Sequence, residues 1–94
     1  MIQVFVDFSG GLEDLFGRQK ELQLNIEEMS LRQLVFHLKD KHLQMKPELF
    51  VTGDGLRPGI IVLVNDTDWE LIGKDLYQVQ GQDRISFIST LHGG

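Results

Sequence analysis

The stretch MSLRQLVFHLKDKH, residues 29–42, is the one clear helix in the sequence, and it decides how the rest can fold. Ser30 is placed to cap the N-terminus, and Gln33 three residues later completes the capping-box pattern. The apolar positions fall on a single stripe, which consists of Leu31, Leu34, Val35 and Leu38. Pro47 prevents the helix from continuing. The sequence therefore predicts one amphipathic helix with one apolar face to bury.

Strand-like patterns lie on both sides of this helix. The predicted strands are residues 2–8, 19–26, 60–64, 69–71 and 84–91, with a turn at 65–68. One helix can cover only one face of such a sheet. The last strand must then lie parallel to the first in the centre, with the helix in the connection between them. The sequence thus predicts an α+β fold of the ubiquitin-like β-grasp type, a mixed sheet of four or five strands with one main helix on one face.

Composition and charge exclude several classes of function. The chain of 94 residues suffices for one domain, and its hydrophobic fraction of 41% is ordinary for a globular protein. It contains no cysteine, which excludes a disulfide framework, a thiolate metal site and a cysteine nucleophile. Nine basic residues are scattered in a chain of net charge −5, so no basic patch for direct nucleic-acid binding is visible. No membrane span or signal peptide is recognisable, and we expect a protein of the cytoplasm, with the nucleus as a second compartment.

Four short motifs are similar to ligand or catalytic sites but lack what those sites need. They are Ser9-Gly10-Gly11, Gly53-Asp54-Gly55, the pair His37 and His42, and the pair Asp66 and Asp68. The two glycine motifs lack the further residues of a phosphate loop and of a calcium loop, and we predict turns. The histidines are five residues apart and do not share a helical face, so a metal site is not expected. Paired aspartates in an exposed turn are far commoner than an acid–base pair.

The uncovered face of the predicted sheet carries apolar side chains. Phe5, Ile88 and half of residues 60–64 alternate away from the helix. Apolar residues on an open face are candidates for a partner surface. Alternatively, the connection formed by residues 46–59 covers them. The sequence leaves both interpretations open.

The chain ends in Leu91-His92-Gly93-Gly94, directly after the last predicted strand. Glycine has no Cβ and can pass through narrow gaps, so the carboxyl group of Gly94 is unhindered once it is activated. One interpretation is a domain of residues 1–90 followed by a flexible tail of residues 91–94 that another protein threads into its active site. A frayed end or an engineered remnant is the alternative.

Three segments carry a resemblance to a known family. They are FSGGLE at residues 8–13, VNDTDWE at residues 64–70 and FISTLHGG at residues 87–94. Over essentially its whole length the chain resembles the ubiquitin-related modifiers, the ubiquitin-like sulfur carriers of eukaryotic cells. Ubiquitin itself shares the tail glycines but carries Arg where this chain has His92.

The resemblance implies a carrier and substrate rather than an enzyme. A ubiquitin-activating-like adenylyltransferase would adenylate Gly94 with ATP, and its rhodanese domain would convert the terminus into a thiocarboxylate. A tRNA thiolase complex would use the sulfur for 2-thiolation of the wobble uridine, and lysines of target proteins would accept Gly94 in isopeptide bonds. Leu91, His92 and Gly93 match the tail that the activating enzyme recognises. We expect no bound cofactor, no direct contact with nucleic acid and no membrane.

Two other classes of function remain open from the residues alone. A non-covalent ubiquitin-like binding module would keep its function without the last two residues, because its Gly-Gly would be incidental. A small enzyme that used His92 or the turn aspartates would turn over a substrate by itself. The sequence gives no indication of a pocket for such an enzyme.

Overall fold

The computed structural model describes residues 1–89, which form one helix and two sheets. In chain order, the strands and the helix are β1 (Ile2–Ser9), β2 (Glu21–Ile26), α1 (Leu31–Lys41), β3 (Val51–Thr52), β4 (Gly55–Leu56), β5 (Ile61–Val64), β6 (Thr67–Asp68) and β7 (Arg84–Ile88). Four short 3-10 helices lie in the connections, at Leu12–Phe16, Pro47–Leu49, Trp69–Leu71 and Lys74–Leu76. No helix within residues 1–89 has the length and apolar character needed to cross a membrane.

The larger sheet has its first and last strands side by side at its centre. Its strand order is β2-β1-β7-β5-β6, and only the β1–β7 pair is parallel. The helix lies in the chain between these two strands, as a parallel crossover requires. The predicted β-grasp arrangement is confirmed, and β3 with β4 adds a separate two-stranded sheet.

The helix and the inward faces of the central strands build the core. The predicted stripe of α1 is buried, with Leu31, Leu34 and Leu38 at 0% exposure and Val35 at 2%. Alternation along the strands buries Val4, Val6 and Phe8 from β1, and Ile85 and Phe87 from β7. The capping box also forms, since Ser30 Oγ accepts from the Gln33 amide at 3.2 Å and Gln33 Oε1 accepts from the Ser30 amide at 2.9 Å.

Four phenylalanines connect the strands to the loops beneath them. Phe16 stacks on Phe8 with ring centroids 4.0 Å apart and meets Phe50 edge-on at 5.2 Å. Phe50 in turn meets Phe87 at 5.6 Å. Phe16 belongs to a 3-10 helix between β1 and β2 that the sequence did not predict. Phe50 is 0% exposed and holds the long connection to the core.

The hairpin after β5 differs from the prediction. Asn65 and Asp66 both have positive φ, at 50° and 69°, which makes a tight two-residue turn between Val64 and Thr67. The returning strand is therefore Thr67–Asp68, and the prediction of a strand at residues 69–71 is wrong. Asp68 accepts a hydrogen bond from the Glu70 amide at 2.9 Å and so caps a 3-10 helix there. The last strand ends at Ile88, and Leu91 lies outside the described residues.

Candidate functional site

The central strand β7 leads to the C-terminal segment. Its last pairing joins Ile88 to Ser9 of β1, and the Ser89 amide then donates to the Ser9 carbonyl oxygen at 3.1 Å. Ser89 is only 7% exposed, so the body of the protein holds the backbone up to this residue. The predicted tail of residues 91–94, including Gly94, lies outside the described part of the chain.

Beside this point the open face of the sheet presents a pair of isoleucines. Ile61 of β5 pairs directly with Ile88 of β7, and Ile61 is 45% exposed. Val62 and Val64 point to the core from the same strand, which leaves Ile61 and Leu63 on the open face. We call Ile61, Leu63 and Ile88 the apolar row. An exposed apolar surface next to the C-terminal segment is suited to a partner that must also reach that segment.

The other predicted surface residue, Phe5, has a charged neighbour above it. The Arg84 guanidinium carbon lies 5.4 Å from the centroid of the Phe5 ring, a cation–π contact. Arg84 also forms ion pairs with Asp7 at 3.1 Å and with Glu21 at 3.4 Å. The hydrogen bonds to Glu21 and Asp7 raise the pKa of Arg84. Phe5 therefore lies half-buried in a charged cluster, whereas Ile88 belongs to the apolar row.

The β3–β4 hairpin in the connection 46–59 does not cover the open face of the larger sheet. Gly55 and Leu56 instead lie beside α1, where they line a cleft of about 240 Å³ with Phe36 and Trp69. Arg32, Val35, Lys74 and Asp75 complete its lining. The aspartates of the 65–68 turn are not part of this lining, and neither is any histidine among residues 1–89. The cleft thus gives no support to an enzyme that would use the turn aspartates, and His92 lies outside the described residues.

A buried aspartate in the turn before β7 organises the start of that strand. Asp83 is 5% exposed and accepts hydrogen bonds from Asn65 Nδ2 at 2.8 Å, the Tyr77 hydroxyl at 2.7 Å and the Gln80 amide at 2.8 Å. Asn65 Oδ1 accepts from the Arg84 amide at 2.9 Å. Burial and the hydrogen bond to Asp83 raise the pKa of Tyr77 to about 12. We call this set the Asp83 network, and it connects the β5–β6 turn to the central strand.

His37 within α1 and His42 at its C-terminal end lie closer together than their spacing predicted. The rings of His37 and His42 are 5.8 Å apart between centroids. His42 is the C-cap residue, with φ −126° and ψ −23°, so it has left the helical geometry on which the prediction relied. Burial and the neighbouring His37 lower the pKa of His42. Among residues 1–89 no group of three or more His, Cys, Asp or Glu residues is arranged to hold a metal ion.

The single helix against a five-stranded mixed sheet with a central parallel pair defines a ubiquitin-like protein. The chain belongs to the Urm1 (Ubiquitin related modifier) family, whose family model matches residues 3–94. Ubiquitin-related modifier 1 of Bos taurus is 50% identical over 97 residues, which cover 99% of this chain and 96% of the relative. The human protein of the same name is 47% identical over 97 residues, with the same coverage.

Solved structures agree with this assignment. The solution structure of Urm1 from Trypanosoma brucei superimposes with a TM-score of 0.84 at 44% identity, over 98% of this chain and 95% of that one. A chain from the crystal structure of the Amycolatopsis orientalis BexX/CysO complex has a TM-score of 0.74 at 22% identity, over 97% of this chain and 99% of that one. The second likeness concerns the fold alone.

Proposed function

We propose that the protein is a sulfur carrier whose Gly94 carboxyl group is activated by a ubiquitin-activating-like adenylyltransferase with a rhodanese domain. The resulting thiocarboxylate supplies sulfur to a tRNA thiolase complex for 2-thiolation of the wobble uridine, and the activated terminus also modifies lysines of target proteins. Membership of the Urm1 family over residues 3–94 supports this proposal. The observation that carries it is the position of the apolar row at the end of the central strand.

In this geometry the folded body binds the partner and the tail enters the partner's active site. A partner docks on Ile61 and Ile88, while the four steps from residue 90 to residue 94 span up to about 13 Å at ~3.3 Å per residue. Leu91, His92 and Gly93 line the entrance to the ATP site, and Gly94 enters it. The pairing of BexX with CysO is a precedent for a protein of this fold in complex with another protein.

The chemistry needs no side chain of the carrier. The Gly94 carboxylate attacks the α-phosphorus of ATP, pyrophosphate leaves, and an acyl adenylate forms. A persulfide on the rhodanese domain then attacks the acyl carbon, AMP leaves, and an acyl disulfide forms. A second thiol of the enzyme attacks the enzyme's own cysteine sulfur in this acyl disulfide, which breaks the S–S bond, releases the thiocarboxylate and leaves an enzyme disulfide. The chain has no cysteine, so the sulfur it carries can only be bound as this acyl derivative. The carrier is therefore a substrate and not an enzyme.

The protein-modifying branch begins from the same activated terminus. The amino group of a target lysine attacks the activated acyl carbon of Gly94, an isopeptide bond forms, and the leaving group departs. The protein itself binds no cofactor in this scheme, since ATP is used by the activating enzyme. All of these partners are expected in the cytoplasm.

ATP–pyrophosphate exchange with the purified activating enzyme tests the proposal. Gly94→Ala adds a methyl group beside the reacting carbonyl and should reduce exchange without loss of folding. One residue added after Gly94 moves the carboxyl group by about 3.3 Å and should abolish exchange, because attack demands placement within a fraction of that distance. Exchange by the extended chain without prior trimming would refute the proposal. Mass spectrometry then distinguishes a thiocarboxylate from lysine-linked conjugates.

The exposed apolar row also fits the second candidate, a non-covalent binding module. Deletion of the last two residues separates the two functions. A binding module would retain its partner after this deletion, whereas a carrier would lose every step that begins at Gly94.

A further inference from the structure

The turn after β1 lies directly against the end of β7. Gly10 has φ +70°, and a Cβ added to it would lie 1.9 Å from the carbonyl oxygen of Ser89 and 2.9 Å from its carbonyl carbon. Both contacts are with backbone, which cannot rotate aside as the end of a flexible side chain would. The backbone angle and the available space therefore each favour glycine at this position.

Ser89 is consequently held on two sides. Its amide donates to the Ser9 carbonyl oxygen at 3.1 Å, and its own carbonyl group lies against Gly10. These two contacts come from consecutive residues of one turn, which is itself fixed by the Gly11 amide donating to Glu13 Oε1 at 2.7 Å. The turn thus sets the direction of the backbone at residue 89.

We propose that Gly10 is a positioning residue for activation of the terminus, because it sets the direction in which the chain leaves the body towards Gly94. This inference rests on the proposed function. In Gly10→Ala the new methyl carbon would lie 1.9 Å from the Ser89 carbonyl oxygen, whereas ordinary van der Waals contact begins at 3.4 Å. The two atoms must therefore move apart by about 1.5 Å. A tail that must be extended to reach a buried site passes this shift on to its end. A misplacement of about 1 Å can cost roughly 100-fold in rate.

The chain offers a matched control for the backbone strain. Gly53 has φ +58°, and a Cβ added there would meet nothing within 4 Å. Gly53→Ala therefore introduces the same left-handed strain without displacing a neighbour. Any difference between the two variants reports the contact with Ser89.

The first measurement is ATP–pyrophosphate exchange by the full chain with the purified activating enzyme. We expect Gly10→Ala to lower kcat by about 10- to 100-fold, since the placement of the reacting group is altered. The half-saturating concentration should stay within about threefold, because the apolar row that binds the enzyme is unchanged. Gly53→Ala should leave both parameters near those of the wild type. An unchanged kcat for Gly10→Ala, or an equal loss in both variants, would overturn the role of Gly10.

A second measurement uses the isolated protein. The backbone ¹³C′ and ¹⁵N shifts of Ser89 should move in Gly10→Ala and not in Gly53→Ala, and unmoved shifts would contradict the steric argument. If the wild-type chain supports no exchange at all, the proposed function fails together with this role. Exchange by the wild type with unaltered kcat for Gly10→Ala refutes the role of Gly10 alone.

A synthetic chain with D-alanine at position 10 covers the case in which Gly10→Ala does not fold. A D-residue favours positive φ, and its methyl group replaces the other hydrogen of the glycine, away from the Ser89 carbonyl oxygen. We expect this chain to fold and to keep a kcat near that of the wild type. A loss as large as that expected for Gly10→Ala would show that contact with Ser89 is not the cause.

Discussion

Asp83→Asn keeps the shape of a buried side chain but replaces one acceptor oxygen with a donor. Asp83 Oδ1 accepts from Asn65 Nδ2, and Oδ2 accepts from both the Tyr77 hydroxyl and the Gln80 amide. An amide group at position 83 therefore directs its NH₂ at a donor in either orientation. Asn65 cannot rotate to compensate, because its own Oδ1 accepts from the Arg84 amide at 2.9 Å.

The size of the effect follows from burial. Asp83 is 5% exposed, so water cannot readily replace the lost partner. A buried donor left unpaired costs about 1–3 kcal/mol, and the remaining hydrogen bonds also lose their charged acceptor. We expect Asp83→Asn to lower the free energy of unfolding by about 2–3 kcal/mol. For a domain of this size that corresponds to a decrease of about 10–20 °C in Tm.

Exchanging the two residues provides the decisive control. Combining Asp83→Asn with Asn65→Asp lets the new amide donate to the new carboxylate, which still accepts from the Arg84 amide. The negative charge then lies at position 65, which is exposed, instead of at the buried position 83. Urea unfolding followed by fluorescence of Trp69, the single tryptophan, measures all the variants. The double variant should regain at least half of the loss, while Asn65→Asp alone should be destabilised by two facing carboxylates. A double variant no more stable than Asp83→Asn would refute the assigned hydrogen-bond directions.

Three further changes test other parts of the structure. Leu34→Asp places a charge at a position of 0% exposure in the core and should cost about 3–5 kcal/mol or unfold the protein; a thermal melt within a few degrees of the wild type would contradict the packing. Ile88→Glu should weaken pyrophosphate exchange in a folded protein because the apolar row loses an anchor, whereas Leu71→Glu, at a side chain 79% exposed outside the sheet, should not. The pKa of Tyr77 is raised from 10.0 to about 12, so its contribution to stability is complete below pH 10 and is lost as the pH rises from 10 to 12. The difference in urea midpoint between the wild type and Tyr77→Phe should shrink over that range, and a constant difference would contradict the shift.

The elements that the sequence predicted are those whose pattern is set by burial over many residues. The stripe of α1 and the alternation of β1 repeat several times, so a single face is strongly specified. Residues 69–71 carry no such repeat, and their 3-10 helix follows from the turn at Asn65 and the cap at Asp68. The 3-10 helix Leu12–Phe16 is too short for a recognisable period and is held by the stacking of Phe16 on Phe8.

The candidate site was predicted in outline but not in its contacts. Alternation placed Phe5 and Ile88 on the open face, and it could not indicate that Arg84 would lie over Phe5. Asp83 stood in a turn sequence where exposed aspartates are common, and its hydrogen bonds come from Tyr77, 6 positions away, and from Asn65, 18 positions away. The close approach of Gly10 to Ser89 joins residues 79 positions apart. Such contacts exist only once the strands have been paired.

Because β7 lies at the centre of the sheet, the domain cannot fold until the chain has been synthesised through Ile88. A chain broken off before residue 84 would lack the strand between β1 and β5, and with it the inward residues Ile85 and Phe87. The pairing of β1 with β7 also joins residues that are far apart in the chain, and such contacts form slowly during folding. A product truncated before β7 would therefore remain unfolded and open to proteolysis. The topology by itself therefore prevents an incomplete domain from reaching the stable fold during synthesis.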